Sequence, residues 1–295
     1  MAHIIGTLAE LNTALAKKQP HLLENLTEET PVLNSIKFEA SSHPLHNAYE
    51  EVTDIKSASF VKMNSPLPTM DMSSTLKKQD LSIMGGELFC PEDTAQTFGS
   101  AEAYFAKKTP SLLRQAGMEI EKEIIYEDLL KFATDNQKVE SAGASEEGYC
   151  MIAFRQIAGE NTGLYSPEGF KSGAGLDVKK INNGALYKND KGVLGYGIRF
   201  KGYFGIQLAN KDGIAAITNI TKSNLPTAQA IDDMLVEAKA SAGSTLIYCH
   251  PKVLSFLNKY KENILRVDTR ENDINRTFLS WNGIRIVTSY NFKSY

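Results

Sequence analysis

Between Val193 and Ala209 the chain alternates without a break. Leu194, Tyr196, Ile198, Phe200, Gly202, Phe204, Ile206 and Leu208 fall on one parity; Gly195, Gly197, Arg199, Lys201, Tyr203, Gly205 and Gln207 fall on the other. A period of two held this long predicts a β-strand with one face on a core. At about 3.3 Å per residue it would run roughly 50 Å if straight, about twice a usual strand or more. Gly202 sits on the apolar parity at mid-length, where a bend or bulge is expected; the alternative is two ordinary strands broken there.

Other stretches carry a helical period or a shorter alternation, as at Leu81 and Ile83 or Ile284, Ile286 and Thr288. In Thr7 to Ser35, Leu8, Leu11, Ala14 and Leu15 share a face, Pro20 interrupts, and Leu22, Leu23, Leu26 and Val32 follow. This predicts an arm of two short helices that packs on something else. Lys37 to Cys90 is polar, with strand composition over Val52 to Lys62 and Thr75 to Leu88 around a turn-rich tip, Asn64 to Met72. A long hairpin with so little apolar surface must rest on its own domain or on a neighbouring subunit. Pro91 to Gly99 suits a short helix. Thr109 as N-cap and Pro110 at N1 predict a long helix through Leu113, Ala116, Ile120 and Ile124 to Asn136, with Glu119, Glu121, Lys122 and Glu123 on its solvated side. That helix is a rod of roughly 37 Å. Glu140 to Glu147 reads as a small-residue linker and Gly148 to Gln156 as a buried strand. A strand pair surrounds Leu186 and Tyr187, and Ile214 to Ile220 is a short helix or closing strand. After Asn224 come a helix over Ala228 to Ala238 that stops near Gly243, a strand at Thr245 to Cys249, and a helix from Pro251. A polar stretch (Asn263 to Arg276), a turn at Trp281 to Gly283 and a strand from Ile284 to Thr288 complete a small α/β unit.

Length and charge narrow the function. The chain has 295 residues, 42% of them hydrophobic, enough for one large or two ordinary domains. A net charge of −3 offers no argument for nucleic-acid or membrane binding. The three cysteines, Cys90, Cys150 and Cys249, are scattered and suit free thiols in a reducing compartment. No signal peptide or membrane-spanning run is evident, so a soluble protein made in the cytoplasm is expected. The glycine-rich run Gly163 to Leu176 lacks the phosphate-loop spacing and opens no helix, which favours a structural turn. Cys249 and His250 are adjacent on a strand and so point to opposite faces, the first expected in a core and the second at a strand end. His43 and His46 have no third ligand nearby, and Asp232 with Asp233 fits a helix better than a metal site. No catalytic residue, metal ligand, cofactor-binding residue or cofactor is predicted.

Four segments taken in order resemble one family. Gly163 to Leu176, G-L-Y-S-P-E-G-F-K-S-G-A-G-L, resembles the Y-P-x-G-x-x-A-G-L segment of a family of tailed-phage major capsid proteins, with the long aromatic-rich strand following it. Phe278 to Ile286 resembles the family's closing T-W-N-G-I-P-I-R, with Arg285 where the family has proline. Leu246 to Leu254 resembles its strand, proline and helix passage. Thr7 to Leu11 and Glu29 to Lys37 resemble its opening.

The resemblance implies an α+β fold of the Hong Kong 97 type. It would comprise an N-terminal arm (1–36), an extended hairpin loop (37–90), a peripheral domain (91–223) with a spine helix at 109–136, and an axial domain (224–295) whose Asn263 to Arg276 stretch lines the capsomer centre. It implies a structural, non-enzymatic major capsid protein that self-assembles as hexamers and pentamers into an icosahedral shell around bacteriophage DNA. The hairpin would then lie across a neighbouring subunit. Further partners would be scaffolding, portal and decoration proteins and non-specifically held DNA, with no membrane. The location would be the virion capsid after synthesis in the host cytoplasm. The competing readings are an encapsulin-like compartment, which shares the fold and encloses protein, and a soluble α/β hydrolase or transferase.

Overall fold

The computed structural model describes residues 7–8, 26–144, 148–167, 176–257, 260, 264–271 and 274–292. Most of the two arm helices expected before Ser35, part of the linker before Gly148 and most of the glycine-rich run lie outside these residues. The first described elements are helix α1 (Pro31–Ser35) and strand β1 (Phe38–Ala40). Strands β2 (His46–Lys56), β3 (Asp71–Asp80) and β4 (Ser82–Pro91) follow, then helix α2 (Glu92–Thr97). A long helical rod comes next: α3 (Ala101–Glu123), a π-helical segment (Ile124–Leu130) and α4 (Lys131–Asp135). Strands β5 (Val139–Ser141), β6 (Tyr149–Arg155), β7 (Asn161–Tyr165), β8 (Leu176–Lys180) and β9 (Tyr187–Lys188) lead to the long β10 (Leu194–Leu208) and to β11 (Ile214–Ile220). Helix α5 (Ala228–Glu237), β12 (Thr245–Cys249), α6 (Pro251–Leu257), β13 (Ile264–Glu271), β14 (Ile274–Trp281) and β15 (Ile284–Thr288) complete the order.

The predicted alternation is one strand of 15 residues. β10 pairs antiparallel with β4 in unbroken register from Gly195 opposite Pro91 to Phe204 opposite Ser82, so the expected bulge at Gly202 is absent. Gly202 serves packing instead: a Cβ there would lie 2.6 Å from the Phe204 ring and 3.3 Å from the Met84 methyl. β7, β8 and β9 also pair with β10, and β1 pairs with β7, making it the centre of a six-stranded sheet.

The hairpin forms, but its first strand runs His46–Lys56 where Val52 to Lys62 was expected, and its second strand is shorter than predicted. Thr75 to Leu88 is not continuous. Leu81 breaks it, with its side chain buried and its N–H donating to the Leu45 carbonyl at 2.9 Å. Asp71–Asp80 pairs with β2, whereas Ser82–Pro91 joins β10. A register shift between Val52 and Asp54 adds a bulge to the shank.

The second sheet runs β13-β14-β15-β12-β6-β11-β5. The α/β unit expected from Asn224 onward is therefore completed by β5, β6 and β11, and the sheet crosses the boundary expected at 223. The continuous apolar run of β6 explains why. Cys150, Ile152 and Phe154 enter the core shared with the rod and the first sheet, whereas Met151 and Ala153 enter a second core under α5 and α6. A strand covered on both faces loses the polar half of its alternation. Ile214 to Ile220 is a strand, and the polar stretch Asn263 to Arg276 holds most of the antiparallel β13–β14 hairpin.

The rod departs from expectation at two places. It begins at Ala101, where the Ser100 Oγ accepts from the Ala103 N–H at 3.1 Å, so Thr109 is a buried interior residue and Pro110 lies inside the helix. Ala101, Phe105, Thr109, Leu113, Gly117 and Glu121 form the buried stripe, which carries the helix upstream of the proline. Glu121, expected on the solvated side, is fully buried. Its Oε2 accepts from the Leu33 N–H at 2.9 Å, and its Oε1 accepts from the Asn291 side-chain amide at 2.9 Å and from the Ser289 hydroxyl. Burial pushes the carboxyl upward, and these donors, with the Val32 N–H, pull it back. Gly117 permits the approach of the arm, since a Cβ there would sit 2.0 Å from the Leu26 carbonyl oxygen.

Glu121→Ala strands donors from α1 and from the segment after β15, and should cost about 3 kcal/mol or more in urea unfolding. Glu123→Ala, two residues on and exposed, should change stability by less than about 0.5 kcal/mol.

Candidate functional site

Among the described residues, those singled out for chemistry form no common site, although His43 and His46 meet each other. Cys249 packs with Met151 and Val253 in the second core, and burial pushes its thiol up to about 12. Its neighbour His250 stacks on Tyr149 with ring centroids 4.5 Å apart, and its Nδ1 accepts from the Lys252 N–H at 3.0 Å. Cys150 is likewise pushed up to about 12, and Cys90 is raised, both by burial. His43 and His46 stack on each other at 4.3 Å. Asp232 accepts from the Trp281 indole N–H and the Asn282 amide, each at 2.8 Å, which ties α5 to the turn after β14. Among the described residues, no group of three or more His, Cys, Asp or Glu is placed to hold a metal.

What the fold presents instead is a projecting surface. Along the β2–β3 shank Val52, Ile55, Met72 and Leu76 are exposed, and at the tip Phe60, Met63, Leu67 and Met70 are exposed, Met63 at 92%. An apolar set of this size on a two-stranded hairpin points to an interaction surface. Part of its charge is engaged locally: Lys77 pairs with Glu51 at 2.5 Å and Ser74 donates to Glu50 at 3.2 Å.

The root of the hairpin is held by amides. Asn47 donates to the Gln207 Oε1 at 2.5 Å, and Gln207, fully buried on β10, donates to the Gly159 carbonyl at 2.6 Å. Beneath this root lies a groove of about 970 Å³ between the shank (Tyr49, Glu51), the end of the rod (Asp128, Phe132) and the end of β10 (Ile206, Leu208). Burial, with Glu123 and Glu127 adding repulsion against the opposing Lys131, pushes Asp128 up to about 6. Sequence reading missed this groove because its walls come from three distant stretches. Only the Glu127-Asp128 pair interrupting an apolar helix hinted at it.

Comparison with known proteins adds an independent line. The family model for Major capsid protein GP7 matches residues 16–291. The solved structure of bacteriophage Epsilon15 superposes with a TM-score of 0.54 at 14% identity, covering 88% of this chain and 87% of that one. The bacteriophage JBD30 capsid superposes with a TM-score of 0.57 at 9% identity, covering 86% and 88%. The holo-SrpI encapsulin complex of Synechococcus elongatus PCC 7942 overlaps with a TM-score of 0.46 at 11% identity, over 65% of this chain and 88% of that one. No curated protein matches.

Because the Asp128 carboxyl holds its proton more tightly when folded than the ordinary 3.8, its ionised form opposes folding. This penalty is absent below about pH 4 and grows as pH rises through about 6. Asp128→Asn should therefore be more stable than the parent at pH 7.5 by about 1 kcal/mol after allowance for solvent screening. The gain should vanish near pH 4, as read by urea unfolding at both pH values; an equal gain at both would contradict it.

Proposed function

On the premise that the chain belongs to the Major capsid protein GP7 family and has the Hong Kong 97-like phage capsid fold, we propose that its copies tile an icosahedral shell around phage DNA as hexamers and pentamers. It is a capsid protein built from many copies, and its place is the virion. The observation that carries the finer reading is the projecting hairpin. It exposes Phe60, Met63, Leu67 and Met70 to solvent in the lone subunit, and a neighbouring copy would cover them. In a ring of subunits each such contact is head-to-tail, and repetition makes a modest fastening strong.

The parts take roles accordingly. Residues 1–36 form the arm and 37–90 the extended loop, with β4 as its anchor in the first sheet. Residues 91–223 form the peripheral domain around the rod, and 224–295, joined by β5, β6 and β11, form the axial domain, with the stretch 263–276 towards the capsomer centre. The subunit has a structural role and no catalytic one. DNA is confined, not read, which suits a net charge of −3. Synthesis in the host cytoplasm precedes assembly with scaffolding, portal and decoration proteins.

Negative-stain electron microscopy with light scattering tests this. The full chain should give closed shells. Replacing residues 57–70 by an Asn-Gly turn joins Lys56 to Asp71, the last pair of the shank. That variant should keep the parent's far-UV spectrum and melting behaviour but stay as small species. Normal shells from it would remove the loop from assembly.

A further inference from the structure

We propose that Asn183 is a site of spontaneous covalent modification, losing its side-chain amide by attack of the Gly184 nitrogen, and that the fold withholds the same chemistry from Asn282-Gly283.

The sequence contains two Asn-Gly pairs, and both occupy tight turns with nearly the same backbone. Asn183 and Gly184 have φ of 54° and 84°; Asn282 and Gly283 have φ of 47° and 84°. Two successive left-handed residues are the signature of a two-residue hairpin turn. Both asparagines are exposed, so access to water does not separate them. In such a pair the glycine leaves its nitrogen unshielded by a Cβ. That nitrogen bonds to the asparagine Cγ, the Cγ–Nδ2 bond breaks, and ammonia leaves with the glycine amide proton. Water then opens the cyclic imide at either carbonyl, giving aspartate or isoaspartate, and the new carboxyl sheds its proton at neutral pH. Water is the only further reactant.

The ring closes only after the turn rotates, because at a ψ of 22° the Gly184 nitrogen is not eclipsed with the Cα–Cβ bond of Asn183. How firmly each turn is held therefore decides which pair reacts. The Asn282 turn is clamped. Its amide and the Trp281 indole both donate to the Asp232 Oδ1 at 2.8 Å, and buried Trp281 pairs with buried Ile284 across it. The bonds that close the Asn183 turn are neutral: the Asn182 amide donates to the Leu186 carbonyl at 3.3 Å, and the Ala185 N–H to the Asn182 carbonyl at 3.0 Å. Among the described residues, no hydrogen bond holds the Asn183 amide itself. Asn182 is left-handed as well, with φ 50°, so opening relieves two non-glycine residues of that conformation.

The product has a cation at hand. A Cβ on Gly184 would lie 3.9 Å from the Lys180 Nζ, which pairs with Glu102 on the rod at 2.8 Å. A carboxylate formed at position 183 competes with Glu102 for that lysine. The modification thus takes the net charge from −3 one unit further negative and weakens a tie between the β8–β9 connection and α3.

For the test, full-length protein held in mildly alkaline buffer is sampled over time and digested with trypsin. The peptides Ile181 to Lys188 and Thr277 to Arg285 are followed by mass, with fragmentation to separate Asn182 from Asn183 and enzymatic methylation to detect isoaspartate. Asn183 should convert at least about tenfold faster than Asn282, the factor that one charge-assisted hydrogen bond surrendered on opening amounts to. In urea, with both turns lost, the two rates should converge. Asp232→Ala should raise the Asn282 rate about tenfold and leave Asn183 unchanged, with melting checked alongside; the urea comparison does not depend on that variant. Equal rates in the folded parent, a difference that survives in urea, or product at Asn182 in place of Asn183 would each overturn the proposal.

Discussion

A single buried carboxylate holds three parts of this subunit together. Glu121 lies inside the rod at no solvent exposure, and an unpaired ion there would be untenable. Its donors come from α1 and from the segment after β15, which lie far apart in sequence. Asn291 extends the junction, donating also to the Glu29 carbonyl at 3.2 Å. Ser289 receives the other side of the link, its N–H donating to the Cys249 carbonyl at 3.1 Å at the end of β12. An apolar contact would tolerate sliding of the arm along the rod. A carboxylate with fixed donors does not, so the arm has one register. A second polar node beside it, in which Gln156 accepts from the Lys37 N–H at 3.0 Å and donates to the Ser35 carbonyl at 3.0 Å, fixes where the chain leaves α1 for β1.

The hydrophobic cores supply the bulk of the stability around these fixed points. The first core joins the rod, the first sheet and one face of the second sheet; the other face of that sheet has its own core under α5 and α6. The second sheet is thus the wall between two packed bodies. The hairpin shares in neither. Only its root is tied in, by the Asn47 and Gln207 amides, and its apolar side chains are left outward. That division separates the apolar surface that folds the subunit from the apolar surface that folding leaves uncovered.

Where burial followed chain parity, the sequence was readable. β10 showed its period of two, and β6 and β12 showed uninterrupted apolar runs. Glu121 was misread because its neighbours Glu119, Lys122 and Glu123 make a charged run. The better signal was the spacing of four through Leu113, Gly117, Glu121 and Ile125, which places the glutamate on the apolar stripe. Thr109-Pro110 imitated a helix start, although Ser100 supplied the cap and Phe105 already belonged to the stripe. The β13–β14 hairpin was passed over for its polarity, although Leu265 and Val267 alternate with Arg266 and Asp268. The groove was beyond reach by such means. Glu51, Asp128 and Ile206 meet only through the tertiary fold.

The register between β4 and β10 also has a mechanical meaning. β3 passes through Leu81 straight into β4, so any tension on the hairpin enters β4 at Ser82 and runs along its length. Ladder hydrogen bonds lie across the strand direction, so this load meets them in shear. From Gly195 to Phe204 they resist together, and the junction must slip as a unit before it yields. A pull across the same ladder would unzip it one pair at a time. The ladder is therefore tougher along β4 than across it, and a load carried down the hairpin would meet it in its stronger direction.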